Sequence, residues 1–144
     1  MKIASGMRHP VITVKPHDSI RHAREVMERN RVNQLPVVVD GRLVGIVTDR
    51  DLRDAFPSVL DHRRRTTGSA DPATVPVEDI MTANVLTLER DAPLEEGARL
   101  MRRERIGAIP IVDGDRLVGI LTRSDVLDVF LAGAERAAPA CGVR

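Results

Sequence analysis

The sequence predicts an α+β fold in which a βαββα unit is repeated twice with pseudo-two-fold symmetry. Three observations predict it. Displaced by 74 residues the chain falls back into register: Met7–Phe56 aligns with Met81–Phe130 without a gap, and 17 of those pairs are identical. Each copy alternates short β-branched runs with stretches of helical apolar spacing. A copy of about fifty residues buries too little surface to offset its chain entropy alone, so the two copies are expected to share a core.

The elements follow in order. Val11-Ile12-Thr13-Val14 and Val85-Leu86-Thr87-Leu88 read as the first strands. Asp18 and Ser19 then offer capping oxygens, and Ile20, Ala23, Val26 and Met27 recur at helical spacing. In the second copy Pro93 suits the first turn, followed by Leu94, Ala98 and Met101. These helices must end near Asn30 and Arg105, because Leu35–Val39 and Ile109–Val112 are strand-like. Asp40-Gly41 and Asp113-Gly114 are hairpin-turn signals leading into Leu43–Val47 and Leu117–Leu121. A second helix starts at Thr48 or Thr122 and runs past Phe56 or Phe130. The expected division is residues 1–60 and 77–134 for the two copies, with a solvated linker at 61–76 and a frayed tail at 135–144. The linker holds Arg63-Arg64-Arg65, most simply read as solvated charge.

Composition excludes several function classes. The formal net charge is +1, so no global field draws the chain to nucleic acid or a membrane surface. With two Phe, no Trp and no Tyr there is no aromatic platform on which bases could stack. The apolar runs fall far short of a membrane span. Met1-Lys2-Ile3 leads straight into the repeat without a secretory signal, and the lone Cys141 has no internal disulfide partner. A cytoplasmic protein is expected. His9, His17, His22 and His62 lack metal-ligand spacing, and no sequence context marks a nucleophile.

The sharpest motif is Gly-hydrophobic-hydrophobic-Thr-x-x-Asp, at Gly45–Asp51 and again at Gly119–Asp125. It lies where the third strand meets the second helix. A helix N-terminus offers unpaired N–H groups to a phosphate, and a cap Thr adds a hydroxyl. A carboxylate one turn on can accept from both hydroxyls of a ribose, while a strand glycine lets a ligand approach the backbone. Thr-x-x-Asp is also close to a capping box, and local physics favours that simpler reading. Both remain open from the residues alone. Asp49-Arg50 follows the first Thr and Arg123-Ser124 the second, so two sites would not be equivalent; the second is favoured for a phosphate.

Two βαββα copies, each with an apolar residue and Pro in the second strand (Leu35-Pro36, Ile109-Pro110) and then Leu-Val-Gly-Ile-x-Thr-x-x-Asp, resemble a tandem pair of CBS domains. The first copy, with Thr48-Asp49-Arg50-Asp51-Leu52-Arg53, is most similar to the CBS half of acetoin-utilisation-type regulatory proteins. The resemblance implies a module with two clefts between the copies that bind adenine nucleotides (AMP, ADP or ATP) or an adenosyl ligand such as S-adenosylmethionine. It implies that Asp51 and Asp125 hold ribose hydroxyls and that Thr48 and Thr122 reach phosphate; by charge alone, Arg50 or Arg123 is the candidate for the cation a phosphate prefers. Thr13 and Thr87 would line a cleft whose motif belongs to the other copy. Gln34, Leu35 and Pro36, with Ala108, Ile109 and Pro110, would border the adenine. The function expected is a non-catalytic ligand sensor without an obligatory cofactor, a homodimer that signals to a protein partner. The alternative is a structural dimerisation module whose Thr-x-x-Asp motifs are only caps.

Overall fold

The structure is a computed structural model that describes residues 1–55 and 71–137. The expected course of the second helix past Phe56, the Arg63–Arg65 run, His62 and Cys141 lie outside the described residues. The chain forms two compact units that do not follow the repeat boundaries. One is Ile12–Val85; the other joins Met1–Val11 to the chain from Leu86 onward. Each repeat therefore contributes its leading segment to the unit built mainly by the other.

In the unit Ile12–Val85, helix α1 spans Ile20–Asn30, strand β1 Gln34–Val39, strand β2 Arg42–Thr48 and helix α2 Asp49–Ala55. Ser19 caps α1, its Oγ accepting from the His22 N–H at 3.1 Å. Asp18 instead accepts from the Lys15 N–H at 2.8 Å, closing the preceding turn. The helix stops on Arg31 in the left-handed region (φ 54°), where glycine is the commoner residue. β1 and β2 pair antiparallel through a type I′ turn with positive φ at both Asp40 and Gly41. The register slips between Val37 and Val38, leaving Val44 as an extra residue in β2. Ile20, Ala23 and Met27 of α1 bury against Leu35, Val37 and Val47 of the hairpin.

The expected strand at Val11–Val14 contracts to a single parallel bridge, Val14 to Val37. Val14 donates to the Pro36 carbonyl at 3.1 Å and accepts from the Val38 N–H at 3.0 Å. Pro10 and Pro16, which lack N–H donors, bracket that run. The sheet gains a different edge. Val77 is fully buried in the core as it opens a short 3-10 turn, Val77–Asp79. Thr82 then exchanges two backbone hydrogen bonds with Ile46, at 2.9 and 3.0 Å.

The second unit repeats this plan. Its elements are β3 (Leu88–Glu89), α3 (Leu94–Glu104), β4 (Ala108–Asp113), β5 (Arg116–Thr122) and α4 (Arg123–Ala137). Only Leu88 and Glu89 pair in parallel with β4, so the strand expected at Val85–Leu88 is shorter and shifted. Pro93 occupies the cap position just before α3 rather than its first turn, and α3 also ends on a left-handed arginine, Arg105 (φ 56°). The hairpin turn is Gly114-Asp115, one residue later than expected, with Asp113 opposite Arg116. Gly114 at φ 67° takes the first central position, the place a type II′ turn reserves for glycine. Thus Asp-Gly in one copy is replaced by Gly-Asp at the same repeat positions.

Here the leading segment is the N-terminal arm. Ile3 is fully buried with Ile109, Ile111 and Leu121, and Arg8 exchanges backbone hydrogen bonds with Ile120 at 2.8 and 3.0 Å. The core expected to be shared appears as two buried clusters, one in each unit. Met81 and Met7 hold equivalent places, each with its thioether over the glycine of the facing strand, Gly45 or Gly119.

A side chain at either glycine would collide with that methionine. At Gly45 a Cβ would also come to 3.0 Å from the Thr82 carbonyl oxygen, which belongs to paired backbone and has little freedom to move. At Gly119 the atoms in the way are all from the Met7 side chain. Gly45→Ala is therefore expected to destabilise by about 1–3 kcal/mol, and Gly119→Ala by clearly less. Urea unfolding of the two variants beside wild type checks the order.

Candidate functional site

The hairpin register assembles most of the sequence-predicted site residues within each unit. Gln34 lies directly opposite Thr48, and Ala108 opposite Thr122. Each threonine ends its strand, and the following helix begins at the next residue. The Asp49 N–H donates to the Asn33 carbonyl at 2.8 Å, and the Arg123 N–H to the Gly107 carbonyl at 3.1 Å, holding that start against the incoming strand. Thr13 precedes Val14, the residue bridged to β1 of its own copy, and Thr87 precedes Leu88, paired with β4. Both threonines therefore fall in the unit that carries their own copy's motif.

Leu35 and Ile109 point into the two cores and are fully buried, and Pro36 and Pro110 are buried as well. A ligand can meet Leu35 and Ile109 only through backbone, which modifies the expected aliphatic border. Gln34 and Ala108 stay partly accessible.

The motif itself forms a reciprocal capping box in both copies. Thr48 Oγ1 accepts from the Asp51 N–H at 3.1 Å, while Asp51 Oδ2 accepts from the Thr48 N–H at 2.8 Å. In the second copy the matching distances are 3.3 and 2.8 Å for Thr122 and Asp125. The cap is real, yet it does not exhaust these groups. A carboxylate has about four lone-pair sites, and a hydroxyl that accepts one hydrogen bond keeps its own proton to donate. The box therefore engages one carboxylate oxygen and leaves the other for further donors.

The two remaining oxygens differ in their surroundings. Among the described residues no hydrogen bond reaches Asp51 Oδ1, whereas Asp125 Oδ1 accepts from Arg8 Nε at 2.8 Å. Asp125 is 6% exposed, the one buried charged residue among those described. The hydrogen bond to Asp125, that residue's charge and the charge of Asp128 together raise the Arg8 guanidinium above its ordinary value; its partial burial acts the other way.

The flanking charges also separate. Arg50 is exposed, and Asp49 sits 3.6 Å from Arg53 one turn on. Arg123 lines a hollow of about 390 Å³ with Met101, Arg105 and Val126, on the flank of α3 and α4. The equivalent hollow of about 340 Å³ in the first copy is lined by Asp49, Arg24 and Glu28, and the last two are paired at 3.3 Å. Among the described residues no group of His, Cys, Asp or Glu is arranged to hold a metal ion, and no helix is long and apolar enough to cross a membrane.

Sequence reasoning missed Arg8 and the methionines beside it. The signal was present in the repeat alignment, where Met7 and Met81 are an identical pair and Arg8 faces Thr82. Nothing local marked them as neighbours of Gly119 and Gly45.

Comparison with known proteins settles the family. The CBS-domain model matches residues 2–58 and 77–132, and the chain belongs to the CBS-domain family as a tandem pair. A solved structure described as the acetoin utilization protein AcuB of Vibrio cholerae is 30% identical, with a TM-score of 0.80 over 95% of each chain. A CBS-domain pair in complex with 5′-methylthioadenosine and S-adenosyl-L-methionine is 30% identical, with a TM-score of 0.77 over 92% of this chain and 98% of that one. The protein CBSX2 in complex with AMP is 31% identical, with the same TM-score and coverage.

Removal of the two aspartates should cost unequal stability. Asp51→Ala loses a cap, a change of about 1 kcal/mol. Asp125→Ala loses the same cap and the bond from Arg8, so its cost is expected to be larger by about another 1 kcal/mol. Urea midpoints at low and high salt check this: the difference should narrow as salt screens the Arg8 contribution.

Proposed function

We propose that this CBS pair is a non-catalytic regulatory module that binds an adenosyl ligand at its Gly-x-x-Thr-x-x-Asp motifs and needs no obligatory cofactor. The observation that carries the reading is the cap geometry. It uses one carboxylate oxygen of Asp51 and leaves Oδ1 without a hydrogen bond among the described residues, beside a threonine hydroxyl that keeps its proton to donate. A ribose needs an acceptor for its vicinal hydroxyls, and a phosphate or other polar 5′ group needs a donor one turn away. Similar CBS pairs that hold AMP, or 5′-methylthioadenosine and S-adenosylmethionine, support the same assignment. Arg50 and Arg123 are the cations nearest in sequence to the two threonines. The adenine ring would lie along the backbone at Gln34–Pro36 or Ala108–Pro110, with Thr13 or Thr87 alongside.

The signal would pass through the helices. Leu127, Phe130 and Leu131 lie on α4 at helical spacing and are 58%, 68% and 54% exposed, an apolar stripe that fits a second copy of the chain. A cytoplasmic homodimer that reports ligand occupancy to a protein partner is the resulting picture. A second reading has one observation in its favour: in both motifs Thr and Asp satisfy each other in a reciprocal cap, as a purely structural dimerisation module requires.

Two experiments separate these readings. Asn can still accept the cap N–H through its amide oxygen but turns an amide donor where the carboxylate had an acceptor. Asp51→Asn should thus melt within a few degrees of wild type and bind AMP or S-adenosylmethionine about tenfold more weakly by calorimetry. Absence of heat from AMP, ADP, ATP, S-adenosylmethionine and 5′-methylthioadenosine on wild type would leave the structural reading standing. Since the chain has no Trp or Tyr, a co-purified adenine would dominate its absorbance near 260 nm. For the assembly, Phe130→Glu should shift the mass seen by light scattering from dimer to monomer.

A further inference from the structure

The two leading segments are backbone copies of each other. Arg8 pairs with Ile120 as Thr82 pairs with Ile46, at hydrogen-bond distances of 2.8 to 3.0 Å in both units. Met7 and Met81 cover the equivalent glycines. What differs is the next side chain: arginine in one arm, threonine in the other. That arginine is 60% exposed along its side chain, yet its Nε is fixed on Asp125 Oδ1 at 2.8 Å. The matching oxygen of Asp51 takes no hydrogen bond among the described residues.

We propose that Arg8 is a specificity-determining residue that gates the second motif, so that the motif at Asp51 fills first and the motif at Asp125 binds only when Arg8 lets go. The proposal rests on the ribose-binding role of the two aspartates given above. A ribose hydroxyl donates hydrogen, as the guanidinium does, and on a carboxylate only 6% exposed with its other oxygen in the cap both compete for the same access to Oδ1. The apparent affinity of the second motif is its intrinsic affinity scaled by the fraction of time Asp125 is free. This reverses the order expected from Arg123 and Asp49. The exposed stem of Arg8 gives the guanidinium water to move into, so the gate is a competing ion pair and not a buried lock. Binding at Asp125 would release the side chain of an N-terminal arm, while binding at Asp51 would release nothing equivalent.

The internal repeat supplies the test, since each arm is the template for altering the other. In an Asp51→Ala background only the second motif remains; Arg8→Thr is expected to tighten its binding of AMP and of 5′-methylthioadenosine by about tenfold. In an Asp125→Ala background only the first remains, and Thr82→Arg is expected to weaken it by a similar factor. Both ligands matter, because 5′-methylthioadenosine has no phosphate. If Arg8→Thr weakens AMP and leaves 5′-methylthioadenosine unchanged, Arg8 is a phosphate ligand and the gate is wrong. Unchanged affinities for both ligands in both exchanges overturn the gate and leave the proposed function intact. No binding in wild type or in the Arg8→Thr and Thr82→Arg single variants removes the proposed function and the gate together. Melting curves of each variant confirm that the fold persists, and rising salt should tighten 5′-methylthioadenosine in the Asp51→Ala background alone.

Discussion

The structure depends on a close approach that only glycine permits. In each unit the second hairpin strand carries a glycine, Gly45 or Gly119, and a methionine from a sequence-distant segment lies directly on it. The same segment then adds two backbone hydrogen bonds to the neighbouring isoleucine. These contacts bring the leading segment of one repeat to the hairpin of the other. They also fix what stands next to the motif that follows. At Gly45 a side chain would meet the paired backbone of the arm, whereas at Gly119 it would meet only the side chain of Met7, next in sequence to the arginine that faces the capping carboxylate.

Much of this was legible in the residues. The 74-residue register gave two copies of one plan, and helical spacing located α1 and α3 to within a residue or two. Thr48, Asp51, Thr122 and Asp125 stood out because cap and ligand chemistry call for the same residue types at the same spacing, and the geometry satisfies the cap while leaving capacity for a ligand. What escaped was non-local. Val11–Val14 is β-branched and reads as a strand, but a strand needs a neighbour with free hydrogen-bonding groups, and only Val14 finds one. The hairpin turn moved from Asp113-Gly114 to Gly114-Asp115 because register, not dipeptide identity, decides which residues turn.

The domain plan shows the same limit. Repeat boundaries are a property of sequence, and the family model follows them at 2–58 and 77–132. Compact units are a property of packing, and they divide the chain at Val11 and Val85 instead. Ile3 and Val77 sit at matching repeat positions, apolar and fully buried, yet each serves the core mainly built by the other copy. No periodicity within a copy could reveal that exchange. The contact of Arg8 with Asp125 was hidden for the same reason, since the two are 117 residues apart in sequence.

The exchange has a consequence for how the protein is made. Synthesis proceeds from the N-terminus, and domains generally fold as units while the chain emerges. The unit Ile12–Val85 is continuous, so it can close as soon as Val77 and Met81 leave the ribosome. The other unit cannot. Its segment Met1–Val11 is made before the rest of its unit and waits, without its hairpin, until the chain beyond Leu86 has been added. Ile3 and Met7 lack their packing partners until then, and their contacts join residues more than a hundred apart in sequence across a unit that has already closed. The two halves look alike when finished, but one is assembled locally and early, the other late and from both ends.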